Sequence, residues 1–312
     1  MPAFVVTVGL PGSGKSYWAN EYIKTCPNSV VVSSDAIREE LWGDANDQQN
    51  PLEVFETMFR RSVAALKEGK DVVYDATNLV AKTRKATLAR VREATKGTYV
   101  YAVAVFVACS ISECKRRQTE RDRQVPDEVI DRMVRQFQTP WYNEGWDYLM
   151  VEHCGKWQDI AREHKRMSGE SHDNHHHTLS LEAHCVSASA TMAERLNKFH
   201  DTHRMVMVEA AFQHDLGKHK TKAFKDTKGN PTNEAHYYSH DNVGAYLWMS
   251  GDQHGWWSTR DFFYIGLLIQ WHMQPYFVES EAAFEEWCNK KGFGSEFCRD
   301  ILLLHECDAA AH

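Results

Sequence analysis

Residues 9–16 read GLPGSGKS, and their neighbours on either side decide the fold. Before them stands AFVVTVG (3–9), a short apolar run rich in β-branched residues, the pattern of a buried parallel strand. After them comes SYWANEYIK (16–24), which reads as a helix. A Gly-rich turn carrying Lys-Ser between a strand and a helix is the context that a phosphate-binding loop requires. Backbone N–H groups across Gly12, Ser13 and Gly14 close around phosphate oxygens, Lys15 adds a point charge for the outer phosphates, and the Ser16 hydroxyl reaches a magnesium ion. The expected ligand is therefore ATP, or another nucleoside triphosphate, with Mg2+. A chance glycine-rich turn is the competing reading, and the flanking order disfavours it.

Outward from the loop the alternation continues. SVVVS (29–33), DVVYDAT (71–77) and YVYAVAVFVA (99–108) read as strands. LEVFETMFRRSVAALKEG (52–69), ISECKRRQTERDR (111–123) and DEVIDRMVRQFQ (127–138) read as helices. Strand–helix alternation predicts an α/β fold with a parallel sheet and flanking helices. From about residue 160 strand-like runs vanish, and segments such as LEAHCVSASATMAERLNKF and RDFFYIGLLIQWHM are helical. Two domains are expected, an α/β domain over 1–160 and an all-α domain over 161–312, with the boundary in the polar stretch near 155–172.

Composition narrows the class. The 312 residues are 43% hydrophobic and 25% charged, ordinary for a soluble globular protein. No apolar run is long enough to span a bilayer. The N-terminus lacks the basic region and apolar core of a secretory signal, so no membrane association is expected. Eight cysteines without CxxC pairs read as reduced thiols of a cytoplasmic protein, not as a disulfide framework or zinc knot. The net charge of −7 argues against non-specific coating of nucleic acid and leaves room for a local basic groove. Of 17 histidines only His153 and His164 precede residue 170, a first hint of metal in the second half.

The stretch VVSSDAIREELWGD (31–44) carries the next question. Ser34 or Asp35 alone could cap a helix. After a phosphate-binding loop a second role becomes the stronger one. Asp35 follows the second strand, so it lies at a C-terminal strand edge, where ligands of such sheets bind. A carboxylate there can take the proton of an attacking hydroxyl, and Arg38, one helical turn on, can grip a phosphate of the acceptor. Asp75 and Asn78, in DATN, serve equally well to fix a turn or to meet substrate.

GLPGSGKSYWANEY, SSDAIR, VVYDATNL and KRRQTERDRQVPDEVIDRM, in that order over about residues 3–150, resemble the kinase domain of phage-type 5′-hydroxyl polynucleotide kinases. The resemblance implies that Asp35 is the general base and that Arg38 contacts the phosphate 3′ of the acceptor nucleotide. It implies a lid over the ATP phosphates, with Arg117 and Arg121 as its arginines. A solvated basic helix face is the plainer reading of 115–123.

In the second half, AAFQHDLGKH (210–219) places His214 and Asp215 at the end of an apolar run. His184, His240, His272 and Asp308 also sit in apolar helical segments. There an unpartnered polar group costs about 2 kcal/mol or more. A lone buried histidine is usually a satisfied core residue, but this ordered set of imidazoles and carboxylates suits a hydrolytic metal site. The order H…HD…H…H…D over about 172–312 resembles the HD-domain phosphohydrolases, with HDLGK as its most specific piece. The resemblance implies one metal on His184, His214, Asp215 and Asp308, and a second on His240 and His272 with Asp215 bridging. It does not distinguish Mg, Mn, Ni, Co and Fe. His177 and Lys218 are further candidate phosphate contacts.

Taken together the halves resemble two-domain RNA end-healing enzymes. Such an enzyme transfers the ATP γ-phosphate to a 5′-OH end of RNA or DNA and hydrolyses a 2′,3′-cyclic or 2′- or 3′-phosphate end. Lys15, Asp35 and Asp215 would be its catalytic residues. No ligase motif is visible, so a separate ligase is the expected downstream partner. Two other readings remain: a small-molecule kinase fused to an HD nucleotidase, and an HD phosphohydrolase regulated by ATP. Trp42, Trp141 and Tyr142 are candidate base-stacking residues whose default role is core packing.

Overall fold

In the computed structural model, which describes residues 1–311 other than 46, 48, 122, 123 and 175–177, the run before the Gly-rich turn forms strand β1 (Ala3–Val8). The chain continues through α1 (Lys15–Thr25), β2 (Ser29–Ser33), α2 (Ser34–Trp42), α3 (Pro51–Lys67) and β3 (Asp71–Asp75). Then come α4 (Ala81–Ala94), β4 (Tyr101–Ala108), α5 (Ile111–Thr119), α6 (Asp127–Arg135) and β5 (Tyr148–His153). The five strands form one parallel sheet in the order β2-β3-β1-β4-β5. Val5 faces Val73 on one side and Val103 on the other, and these valines with Val105, Val107 and Ala19 of α1 make a buried core. Because every strand runs the same way, the loop after β1, the start of α2 after β2, and Asp75 at the end of β3 share one sheet edge.

Two elements escaped the apolar pattern. β5, YLMVEH, is an edge strand with mostly half-buried residues, so it needs no continuous apolar run. α4 buries only Arg84, Leu88 and Val91. Arg84 is held there by Glu144, Nε to Oε2 at 2.8 Å and Nη2 to Oε1 at 2.6 Å, and Trp146 Nε1 donates to the same carboxylate at 2.9 Å. Both charges are buried. Removing one of them strands the other, so Arg84→Ala should cost about 3–5 kcal/mol in denaturant unfolding. A cost below about 1 kcal/mol would show that Glu144 finds water instead.

The chain divides into two compact units, Met1–Met133 with Pro140–Trp157, and Val134–Thr139 with Gln158–His312. In the second unit Phe137 meets the ring of Tyr246 edge-on at 5.2 Å, and the Thr139 N–H donates to Gln270 at 2.7 Å. Its further elements are α7 (Ile160–Met167), α8 (Leu181–Arg195), α9 (Thr202–Gln213), α10 (Lys218–Thr221), β6 (Ala223–Lys225), β7 (Pro231–His236), α11 (His240–Met249), α12 (Thr259–Trp271), α13 (Glu281–Lys291) and α14 (Ser295–Ala310). α11 and α12 are buried nearly all round, as central helices are. The expectation of an all-α second half is corrected by β6 and β7, which pair antiparallel. Their sequence lacks apolar alternation; the hairpin turn is instead closed by the Asp226 carboxylate, which accepts the N–H groups of Lys228 and Asn230 at 2.8 Å each. No described helix is long and apolar enough to cross a membrane.

Candidate active sites

The Gly-rich turn is built by positive φ at Gly12 (85°) and Gly14 (105°), where a side chain would be strained. A Cβ on Gly14 would also lie 2.5 Å from Cβ of Cys154, so only glycine fits. Ser13 is buried in the turn. Lys15 opens α1, its Nζ donating to the Leu10 carbonyl at 2.8 Å, and burial pushes its pKa down despite the pull of Asp75. Ser16 Oγ donates to Asp75 Oδ2 at 2.8 Å, and Thr7 Oγ1 lies 3.3 Å from Asp75 Oδ1. Asp75 thus stands behind the hydroxyl that would face a magnesium ion. Asn78, by contrast, fixes the turn: its Nδ2 donates to the Thr7 carbonyl at 2.8 Å.

Ser33 is the cap residue of α2 and makes no side-chain capping bond, and Asp35 lies inside the first turn. Asp35 Oδ1 accepts from Arg38 Nη1 at 2.9 Å. The carboxylate is half exposed, at 53%, while the guanidinium is 8% exposed. Both line a cavity of about 700 Å³ together with Gly12, Gly14, Lys15, Ser16, Asp75 and Arg121. Arg117 braces the loop, its Nη1 donating to the Gly12 carbonyl at 3.0 Å and its Nε to Glu113 at 3.0 Å. Lys115 pairs with Asp131 and Arg116 with Glu113. Arg132 also lines the cavity, and sequence reasoning missed it. The available signal was the spacing of Val129, Arg132 and Met133, which share one face of α6 and all line the cavity.

The second constellation is in the second unit. His184 lies on α8, His214 caps the end of α9, His240 opens α11, His272 caps the end of α12, and Asp308 lies on α14. Each imidazole Nδ1 faces a backbone carbonyl: His184 that of Ala311 at 2.6 Å, His214 that of Ala211 at 2.8 Å, His240 that of Tyr237 at 2.8 Å, and His272 that of Ile269 at 2.7 Å. A carbonyl only accepts, so each Nδ1 carries a proton and each Nε2 is turned inward. Those nitrogens meet in pairs, His184 with His214 at 3.3 Å and His240 with His272 at 3.2 Å.

Asp215 stands between the pairs. Its Oδ2 lies 3.5 and 3.4 Å from Nε2 of His184 and His214, and its Oδ1 3.3 and 3.7 Å from those of His240 and His272. Asp308 Oδ1 adds a second carboxylate to the first pair, 2.9 Å from His184 and 3.2 Å from His214. His184, His214 and Asp215 form one group whose ligand atoms lie within 4.8 Å, and Asp215, His240 and His272 form another. Nitrogen and carboxylate atoms at such separations need a proton or a metal cation between them, and against its burial the two carboxylates pull His214 well above the ordinary imidazole pKa. The backbone-anchored rings and carboxylates are the donors that divalent ions take, so the residues fit two ions with Asp215 shared.

A glycine permits this convergence. A Cβ on Gly217 would come within 2.0 Å of the His240 carbonyl, so the HDLG turn packs directly on the start of α11. Lys218 Nζ lies 2.6 Å from Asp215 Oδ2. Burial raises Asp215 and Asp308, but Lys218 and His214 outweigh it for Asp215, and His214 and His184 for Asp308, so both stay ionised well below the usual range. Burial, with the charges of His214 and His240, drives His272 down to about 3. His177 lies outside the described residues. Tyr276 was missed by sequence reasoning; its hydroxyl donates to Asp308 Oδ2 at 2.9 Å, and nothing in QPYF announces that role.

Comparison with known proteins covers the first of these sites. Residues 4–140 match the AAA domain family AAA_33. L-seryl-tRNA(Sec) kinase of Methanococcus maripaludis is 24% identical over 154 residues, 46% of this chain and 55% of the relative. The chain thus spans about half the length of that curated relative. Among solved structures, the Pnkp1/Rnl/Hen1 RNA repair complex is 26% identical over 43% of each chain with a TM-score of 0.37. A fungal RNA kinase is 14% identical, over 48% of this chain and 74% of that one, with a TM-score of 0.37. The parallel sheet and the Gly-rich turn after β1 lie within the residues, 4–140, that are similar to this family.

Proposed function

We propose that the chain is a bifunctional end-healing enzyme that acts on RNA. Its first unit phosphorylates a 5′-OH end from ATP, and its second, an HD-type phosphohydrolase, removes a 2′,3′-cyclic or terminal phosphate. The observation that carries the kinase half is the Asp35–Arg38 pair inside the same cavity as Lys15 and Ser16. Asp35 accepts the proton of the acceptor hydroxyl while the acceptor oxygen bonds to the γ-phosphorus. The bond to the β–γ bridging oxygen breaks, and its electrons leave with ADP. Lys15 and the loop N–H groups hold the phosphates, and Ser16, oriented by Asp75, would hold magnesium. Arg121 reaches into the cavity as a further cation. The tRNA-linked acceptor in the archaeal relative's name supports an RNA acceptor.

In the second unit, divalent ions on the two histidine–carboxylate groups would activate water and neutralise charge on the phosphate. Asp215 holds both groups in register, and Lys218, beside it, is placed to meet a phosphate oxygen. A separate ligase would seal the healed ends.

Transfer of labelled γ-phosphate to a 5′-OH oligoribonucleotide tests the kinase half directly. No transfer, alongside brisk phosphorylation of a free nucleoside or sugar, would move it to a small-molecule kinase. If Arg38 grips the phosphate 3′ of the acceptor, Arg38→Ala should weaken use of oligonucleotides and nucleoside 3′-phosphates about ten- to hundredfold, and that of plain nucleosides much less. Equal loss on all acceptors would make Arg38 merely the partner that orients Asp35.

A further inference from the structure

The histidine cluster opens into a cavity of about 830 Å³ with two aromatic lips. One is His236-Tyr237-Tyr238, which joins β7 to His240. The other is Tyr276-Phe277, in the 3-10 turn Gln274–Phe277 that follows His272. Short chain ties each lip to a histidine of the cluster, so its distance from that cluster is fixed. The inner anchors are polar: the Tyr237 hydroxyl donates to the His172 carbonyl, and the Tyr276 hydroxyl to Asp308. The outer faces are left in solvent, with Tyr238 39%, Tyr276 48% and Phe277 73% exposed. His236 and Tyr238 stack at 5.4 Å with 10° between their planes, a ready-made flat slab.

Exposed rings gathered at a pocket mouth mark a ligand surface, and these rings ask for something flat. A pyrophosphate offers no ring face and a sugar only a puckered one; a nucleobase offers a planar aromatic face. The hairpin leading into the first lip carries exposed Lys225 and Lys228, cations suited to the phosphates of a continuing strand. We propose that the lips clamp the base of the terminal nucleotide of an RNA strand, so that its phosphate lies against Asp215, His240 and Asp308. This rests on the second unit being a phosphohydrolase. Stacking tolerates every base, because each has a π face. The clamp therefore selects a strand end without selecting sequence.

The test uses the full chain and an oligoribonucleotide with a 5′-phosphate, a 3′-terminal 2-aminopurine and a 2′,3′-cyclic phosphate. Stacking quenches the fluorophore, so binding is read without turnover, and phosphate release is followed on the same samples. Phe277→Ala and Tyr238→Ala should each weaken quenching-linked binding about tenfold, and Phe277→Trp should restore it. Binding of the same strand with an abasic terminal ribose should not respond to these changes. Equal affinity of all variants for the base-bearing end, equal loss on the abasic end, or equally tight binding of a lone 3′-mononucleotide would overturn the clamp. Phosphate release that ignores the lips keeps the hydrolase and sinks the clamp. Lip-dependent quenching with no release under any divalent ion sinks the hydrolase and leaves the clamp as a binding site.

Discussion

Asp35→Asn should lower phosphoryl transfer to a 5′-OH end by about 10²–10⁴-fold, the usual worth of a general base. The carboxylate accepts a hydrogen bond from Arg38 at 2.9 Å, and its pull on Lys15 is weaker than that of Asp75. ATP affinity, measured by titration calorimetry, should therefore stay within a few-fold of the parent. The amide keeps the size of the side chain and an oxygen for Arg38, but loses the basicity that accepts a proton. Lys15→Ala should behave differently, because the Lys15 ammonium is in the loop itself, and nucleotide affinity should fall with activity. An Asp35→Asn enzyme that still phosphorylates a 5′-OH oligonucleotide at more than about a tenth of the parent rate would remove Asp35 as the base.

Asp215→Ala should silence the other half. One oxygen of Asp215 faces the His184–His214 pair and the other the His240–His272 pair, so this one substitution strips a shared donor from both groups. Elemental analysis should show bound divalent metal falling toward zero. Release of phosphate from a 2′,3′-cyclic end should fall to background, while kinase activity persists. Lys15→Ala should give the mirror image, kinase lost and phosphate release kept, since among the described residues the lining of its cavity includes none of the histidine cluster. Point variants are cleaner than chelation here, because a chelator also takes magnesium from the kinase. Retained metal with lost hydrolysis would make Asp215 a chemical participant alone; retained hydrolysis would dismiss the site.

Much of this arrangement was legible in the residues, for physical reasons. The β1–loop–α1 unit announces itself because steric needs, a buried strand and a fixed Gly–Lys–Ser spacing coincide. The candidate histidines stood out because polar groups in apolar helices must be partnered, and here they converge. What stayed hidden depends on packing that leaves no periodic mark. β5 is a half-buried edge strand. α4 hides among charges because its inward face includes an arginine. The β6–β7 hairpin is held by a turn and not by apolar alternation. Arg117 and Arg121, one turn apart in sequence, part company because Glu113 draws Arg117 onto the Gly12 carbonyl. The aromatic lips could not be read because their rings are brought together only by the ends of α11 and α12.

Residues Val134–Thr139 leave the first unit, pack in the second, and return. Scissors applied near residue 158 would not yield two clean pieces. A C-terminal fragment would lack Phe137 against Tyr246 and the Thr139 bond to Gln270, while an N-terminal fragment would keep Phe137 without its Tyr246 partner. The two halves are stitched, not merely strung, so neither could be traded to another protein as a freestanding module without redesigning the seam.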